Sequence, residues 1–118
     1  MKARKFKDLK VWQLGKQITI DIYGLTNHFP VDERYGLVSQ MRRSAISIVS
    51  NIAEGFNRYH NKEYQQFLYI ALGSCAGLGS QLEIAYALKF VSVDQWKQIC
   101  EYLDHESRML RSLIKKLT

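Results

Sequence analysis

A chain of 118 residues, 47% of them hydrophobic, has apolar material for one compact core and no room for a second. Its two cysteines, Cys75 and Cys100, lie on apolar stretches without CxxC spacing, so they read as reduced core thiols of a cytoplasmic protein rather than a zinc site or a disulfide framework. The net charge of +6 suits an acidic partner such as nucleic acid, and serves solubility equally well, so the placement of the charge has to decide.

The opening MKARKFKDLK is basic and runs into an amphipathic stretch carrying Lys16 and Asp21. No uninterrupted apolar segment resembles a signal peptide or a membrane span, so no membrane partner is expected. The first helix is predicted over about 8–28, with Val11, Gly15, Ile18, Ile22, Leu25 and Phe29 spaced alternately four and three apart, and Pro30 ending it.

The second helix is predicted over about 33–57, starting where Asp32 and Glu33 favour a helix N-terminus. On a helical wheel Leu37, Met41, Ala45, Ile48, Ile52 and Phe56 share a face, and Ile46, Val49 and Ala53 widen it to about half the circumference. One bundle core does not need so wide an arc, which implies a second packing surface and therefore an oligomer. The opposite arc carries Arg43, Ser47, Ser50, Asn51, Glu54 and Arg58, with Arg42 near the edge of the apolar side. Arg42 and Arg43 read as interface residues. For Arg43 and Glu54, pairing between helices or subunits is preferred to phosphate binding, and Glu54 and Arg58 have the spacing of an i,i+4 ion pair. Asn51 reads as a hydrogen-bonding residue that sets helix register.

The third helix, about 61–89, carries Tyr64, Leu68, Ala71, Cys75, Leu78, Leu82 and Ala85 on one stripe. Gly73, Gly77 and Gly79 weaken it as an isolated helix, at about 1 kcal/mol each, and are expected to admit close backbone packing. The fourth helix, about 93–117, opens on the capping box Ser92-Val93-Asp94-Gln95 and has the stripe Trp96, Ile99, Leu103, Leu110, Ile114 and Leu117, interrupted at Ser107. Four amphipathic helices on short turns predict an all-α, up-down-up-down antiparallel four-helix bundle over residues 1–118.

That topology brings the start of the first helix, the turn after the second and the end of the fourth to one pole. Lys2, Arg4, Lys5, Lys7, Lys10, Arg58, Lys62, Arg108, Arg111, Lys115 and Lys116 gather there, eleven of the seventeen positive side chains. Such a pole can follow a phosphate backbone, with Phe6, Tyr59 and His60 available to stack on unpaired bases. The competing explanation is that basic helix C-termini complement helix dipoles and keep the chain in solution.

Several short motifs occur in order: Asp8-Leu9-Lys10-Val11-Trp12-Gln13, Leu25-Thr26 with Phe29-Pro30, Glu33-Arg34-Tyr35-Gly36-Leu37, Gln40-Met41-Arg42-Arg43, Ser50-Asn51-Ile52-Ala53-Glu54-Gly55, Glu63-Tyr64 with Phe67-Leu68, and Gly73-Ser74. Over nearly the whole chain this resembles the four-helix-bundle proteins encoded in intervening sequences of bacterial 23S ribosomal RNA genes, the S23 ribosomal protein family. More distantly it is similar to the accessory protein of diversity-generating retroelements. The resemblance implies a bacterial protein whose protomers form a homopentameric ring, with a loosely defined role beside RNA. Where the family pattern has leucine at position 75 and glutamates at 77 and 79, this chain has Cys75, Gly77 and Gly79, so any contact those carboxylates make is absent here.

Catalytic chemistry finds no constellation. His28, His60 and His105 fall on separate elements, and Glu101 with His105 gives two i,i+4 ligands without an HExxH pattern. The glycines match no phosphate loop, so no cofactor and no metal are expected. Two readings remain: a non-enzymatic oligomer that contacts RNA or DNA through Arg4, Lys5, Lys7, Lys10, Arg58, Lys62, Arg111, Lys115 and Lys116, and a structural scaffold with a protein partner. In both, Arg42, Arg43, Ile46, Val49, Asn51 and Glu54 serve assembly or structure.

Overall fold

The computed structural model describes residues 3–118, so Lys2 lies outside the described residues. Four long helices follow one another, α1 (Lys10–Thr26), α2 (Ser39–Phe56), α3 (Asn61–Ala87) and α4 (Val93–Lys116), and no strand occurs among the described residues. Each helix packs on the next and α4 returns to α1. Cross-helix contacts give the directions. Thr19 approaches Ala45 while Arg42 reaches Thr26, Ser74 reaches Ser47, and Gln65 near the start of α3 donates to the Ile114 carbonyl near the end of α4. Neighbouring helices therefore run antiparallel around a shape of 43 × 25 × 19 Å, whose long axis is set by α3.

The buried residues follow the helical period. α3 buries Tyr64, Leu68, Ala71, Cys75, Leu78, Leu82 and Ala85, the stripe its sequence spacing picks out. Met41, Ala45, Ile48 and Ile52 of α2 are fully covered, as are Ile18 and Ile22 of α1. By length and composition alone α3 is also apolar enough to cross a membrane, with a mean hydropathy of 1.2, which amends the expectation that no segment would be. Only 28% of that apolar window is buried in the protomer, and Tyr69, Ile70 and Ile84 stay exposed.

The single helix expected over 33–57 is broken at its start. A 3₁₀ turn at Val31–Glu33 leads into a widened π turn at Arg34–Val38, in which Gly36 leaves helical dihedrals at φ −109° and ψ −109°. The Glu33 side chain accepts a hydrogen bond from the Leu37 amide, which stabilises the break. At the other end of the chain the sequence signal is local and strong: Gln95 N–H donates to Ser92 Oγ at 3.1 Å and Ser92 N–H to Gln95 Oε1 at 2.9 Å. Between α3 and α4, Lys89 adopts a left-handed φ of 66°, and Phe90 N–H bonds back to the Ala85 carbonyl at 2.9 Å.

The glycines expected to mark close packing are not the tight ones. A Cβ at Gly73 would meet nothing within 4 Å, and one at Gly77 or Gly79 would make ordinary contact. Close approach occurs at Gly15, where a Cβ would lie 2.9 Å from Val49 Cγ1, and at Gly55, where it would lie 2.8 Å from Phe67 Cβ.

Candidate nucleic-acid interface

The α1–α4 seam at the basic pole opens into a groove of about 510 Å³. Leu9, Val11, Met109 and Leu113 form its apolar floor, and Lys10, His105, Arg108 and Lys116 stand around it. Asp104, the carboxylate beside this rim, is taken up by Arg108 at 3.0 Å, the one salt bridge among the described residues. Neither Lys10 nor Lys116 is in a salt bridge among the described residues. A phosphate strand fits such a rim by charge, and the apolar floor fits the face of a base.

The remaining predicted cations are distributed more widely. Arg4, Lys5, Lys62 and Lys115 are exposed. Lys7 borders a different groove with Trp12 and Lys16 on the outer face of α1, and Arg111 borders one between α3 and α4. The Arg58 guanidinium lies 4.7 Å from the Phe67 ring centroid, so the expected Glu54–Arg58 ion pair is not made. His105 and Ser112 also line this groove and are not among the candidate site residues, and Arg108, one of the pole's cations, joins them without being a contact candidate. The signal for them is the antiparallel α1–α4 pairing, which places residues 105–116 beside residues 9–11.

Arg42 is a structural residue within the protomer. Its Nε donates to Thr26 Oγ1 at 2.9 Å, its Nη2 to Asn27 Oδ1 at 3.0 Å, and its guanidinium stacks 4.5 Å from the Tyr23 ring centroid. It thereby closes the C-terminal end of α1 from the neighbouring helix. Arg43 is exposed and lines a surface groove with Arg34, Tyr35 and Ile46. Asn51 donates to the Ser47 carbonyl at 2.8 Å and to Ser47 Oγ at 3.0 Å, and Ser47 Oγ accepts from Ser74, so Asn51 supports a polar link between α2 and α3. Glu54 is exposed. Val49 faces Gly15 inside the protomer, which leaves Ile46, 43% exposed, as the open one of the two apolar candidates.

One ionisable residue was not read from the sequence at all. Glu106 sits in the gap attributed to Ser107 and is wholly buried, with neither carboxylate oxygen hydrogen-bonded. Burial pushes its carboxyl up to about 8. The Cys75 thiol is pushed up to about 12, first by burial and then by Glu106, and neither cysteine is in a disulfide. Cys75 is therefore a core thiol without nucleophilic character at neutral pH.

A family model described as the 23S rRNA-intervening sequence protein matches residues 7–112. The chain belongs to that family. Its fold is also that of a Bacteroides thetaiotaomicron crystal structure of a protein with unknown function from the S23 ribosomal protein family. The two share 23% identity and a TM-score of 0.81 over 89% of this chain and 98% of that one. No curated protein matches the chain. The matched region covers α1 to α3 and most of α4, and with them every residue lining the basic groove except Leu113 and Lys116.

Proposed function

We propose that this intervening-sequence family member is a non-enzymatic cytoplasmic subunit that self-associates as a homopentamer and contacts RNA or other nucleic acid through its basic pole. The observation that carries the nucleic-acid reading is the α1–α4 groove, where Lys10, Arg108 and Lys116 from distant parts of the chain surround an apolar floor. Self-association is supported by apolar surface on α2 and α3 that the protomer leaves uncovered, at Ile46, Tyr69, Ile70 and Ile84. The ring size follows from the family resemblance.

Binding of a structured RNA should weaken as salt rises, with log affinity linear in log salt. Neutralising Lys10, Lys115 and Lys116 together should lower that slope by up to about 3 and weaken binding at low salt by at least about tenfold. An affinity unchanged by the triple substitution, or no binding at low salt, overturns the nucleic-acid reading. For assembly, light scattering should report a mass near five times the 13.8 kDa chain. A 13.8 kDa species at all concentrations would refute it, leaving a scaffold that acts as a single protomer.

A further inference from the structure

Glu106 is the group for which nothing above provides a partner. Its side chain is 0% exposed, both oxygens lack a hydrogen bond, and it points into the seam between the first and last helices. The seam is shaped to receive it. A Cβ at Gly15 would lie 2.8 Å from Glu106 Oε2, so the carboxyl occupies the notch that a glycine leaves in α1, with Ile48 and Val49 of α2 beside it. A buried carboxyl without a hydrogen bond is destabilising in either state, and far more so when charged than when protonated.

The surroundings offer no counter-charge. α1 contributes Gly15 and α2 contributes Ile48 and Val49, none of which titrates. Lys10, Lys16, Arg43 and Glu54 on those helices are exposed. α3 contributes Cys75, an uncharged thiol at neutral pH. On α4 itself Asp104, His105, Arg108 and Arg111 are exposed, and burial alone accounts for the displaced titration of Glu106.

We propose that the Glu106 carboxyl, seated in the Gly15 notch, is a proton-operated latch on the α1–α4 seam, and that loss of its proton loosens the two walls of the basic groove. Glu106 lies one residue from His105 and three from Met109, both groove residues, and Gly15 lies four from Val11 on the opposite wall. The effect on the groove as a ligand site rests on the nucleic-acid reading, whereas the loosening of the seam does not.

The folded chain holds this proton more tightly than the unfolded chain. The stability it contributes is therefore fully present below about 4.5, the ordinary range of a glutamate, and is lost as pH rises through about 8. Over that window the group multiplies the opening constant by at most about tenfold per pH unit.

Amide hydrogen exchange of wild type and Glu106→Gln, compared at the same pH, tests this directly, because glutamine keeps the shape of the protonated acid. The two proteins should match near the acid end of the window. At its alkaline end the α1 amides of wild type should exchange at least about tenfold faster than those of the variant. Equal exchange at the alkaline end overturns the latch. Should the glutamine variant misfold, a carboxyl carbon NMR titration of wild type replaces it, and a Glu106 already charged near pH 6 in the intact fold overturns the proposal. RNA affinity measured on the same two proteins separates the readings. Absence of RNA binding by both at every pH removes the ligand-site reading and leaves the exchange result standing.

Discussion

Val49→Asp should markedly destabilise the protomer near neutral pH, whereas Ile46→Asp, three residues earlier on the same helix, should leave its stability almost unchanged. Val49 Cγ1 lies 2.9 Å from the position of a Gly15 Cβ, in the seam that already holds the wholly buried Glu106 carboxyl. A carboxylate at this half-buried position, beside the unpartnered Glu106 carboxyl, costs about 2–3 kcal/mol, a substantial share of the ~5–15 kcal/mol that a domain possesses. The loss should shrink as pH falls and both carboxyls take up protons. Ile46 is 43% exposed, and its substitution should change protomer stability by only about 0.5 kcal/mol while disrupting any assembly built on that surface. Circular dichroism during urea unfolding reads the first effect, and light scattering reads the second.

Gly55→Ala should destabilise the fold by about 2 kcal/mol, net of the helix propensity that alanine adds. A methyl group there would lie 2.8 Å from Phe67 Cβ and 3.2 Å from the Tyr64 carbonyl oxygen. Both are backbone or backbone-adjacent atoms, so α2 and α3 would have to separate to admit it. Gly73→Ala should act in the opposite direction, adding about 0.5–1 kcal/mol, because nothing lies within 4 Å of its Cβ position. Thermal melts of the two variants should shift to opposite sides of wild type.

These two glycines show where the sequence is legible and where it is not. A buried stripe is a periodic property of one segment, and the spacing from Tyr64 to Ala85 identifies the α3 core without reference to any other helix. Closeness of approach is a property of two segments. Three glycines within seven residues of α3 suggest a groove, yet the tight contacts fall at the isolated Gly15 and Gly55. Glu106 escapes the periodic pattern for a related reason. It stands three residues after Leu103 and four before Leu110, the spacing of the buried stripe, but a carboxylate at a core position is rare enough for the neighbouring serine to be taken as the interruption.

The start of α2 departs from expectation because Asp32 and Glu33 resemble an ordinary helix opening, while the kink at Gly36 depends on dihedrals that composition does not express. The basic pole was legible through topology, which sets the end of α4 beside the start of α1. Which cations share a groove was not, since Lys7, Arg58 and Arg111 turn to other surfaces.

The order of helices also bears on how the chain reaches its native state. Three of the four helix contacts join segments adjacent in sequence, α2–α3 and α3–α4 through short turns and α1–α2 through the longer connection over 27–38, which favours their early formation. The fourth, between α1 and α4, closes a loop that contains both intervening helices and carries the largest chain entropy cost. The basic groove lies on that contact of greatest sequence separation, so a chain in which α1 and α4 have not met has no such groove to offer, and a ligand that grips it selects fully folded chains.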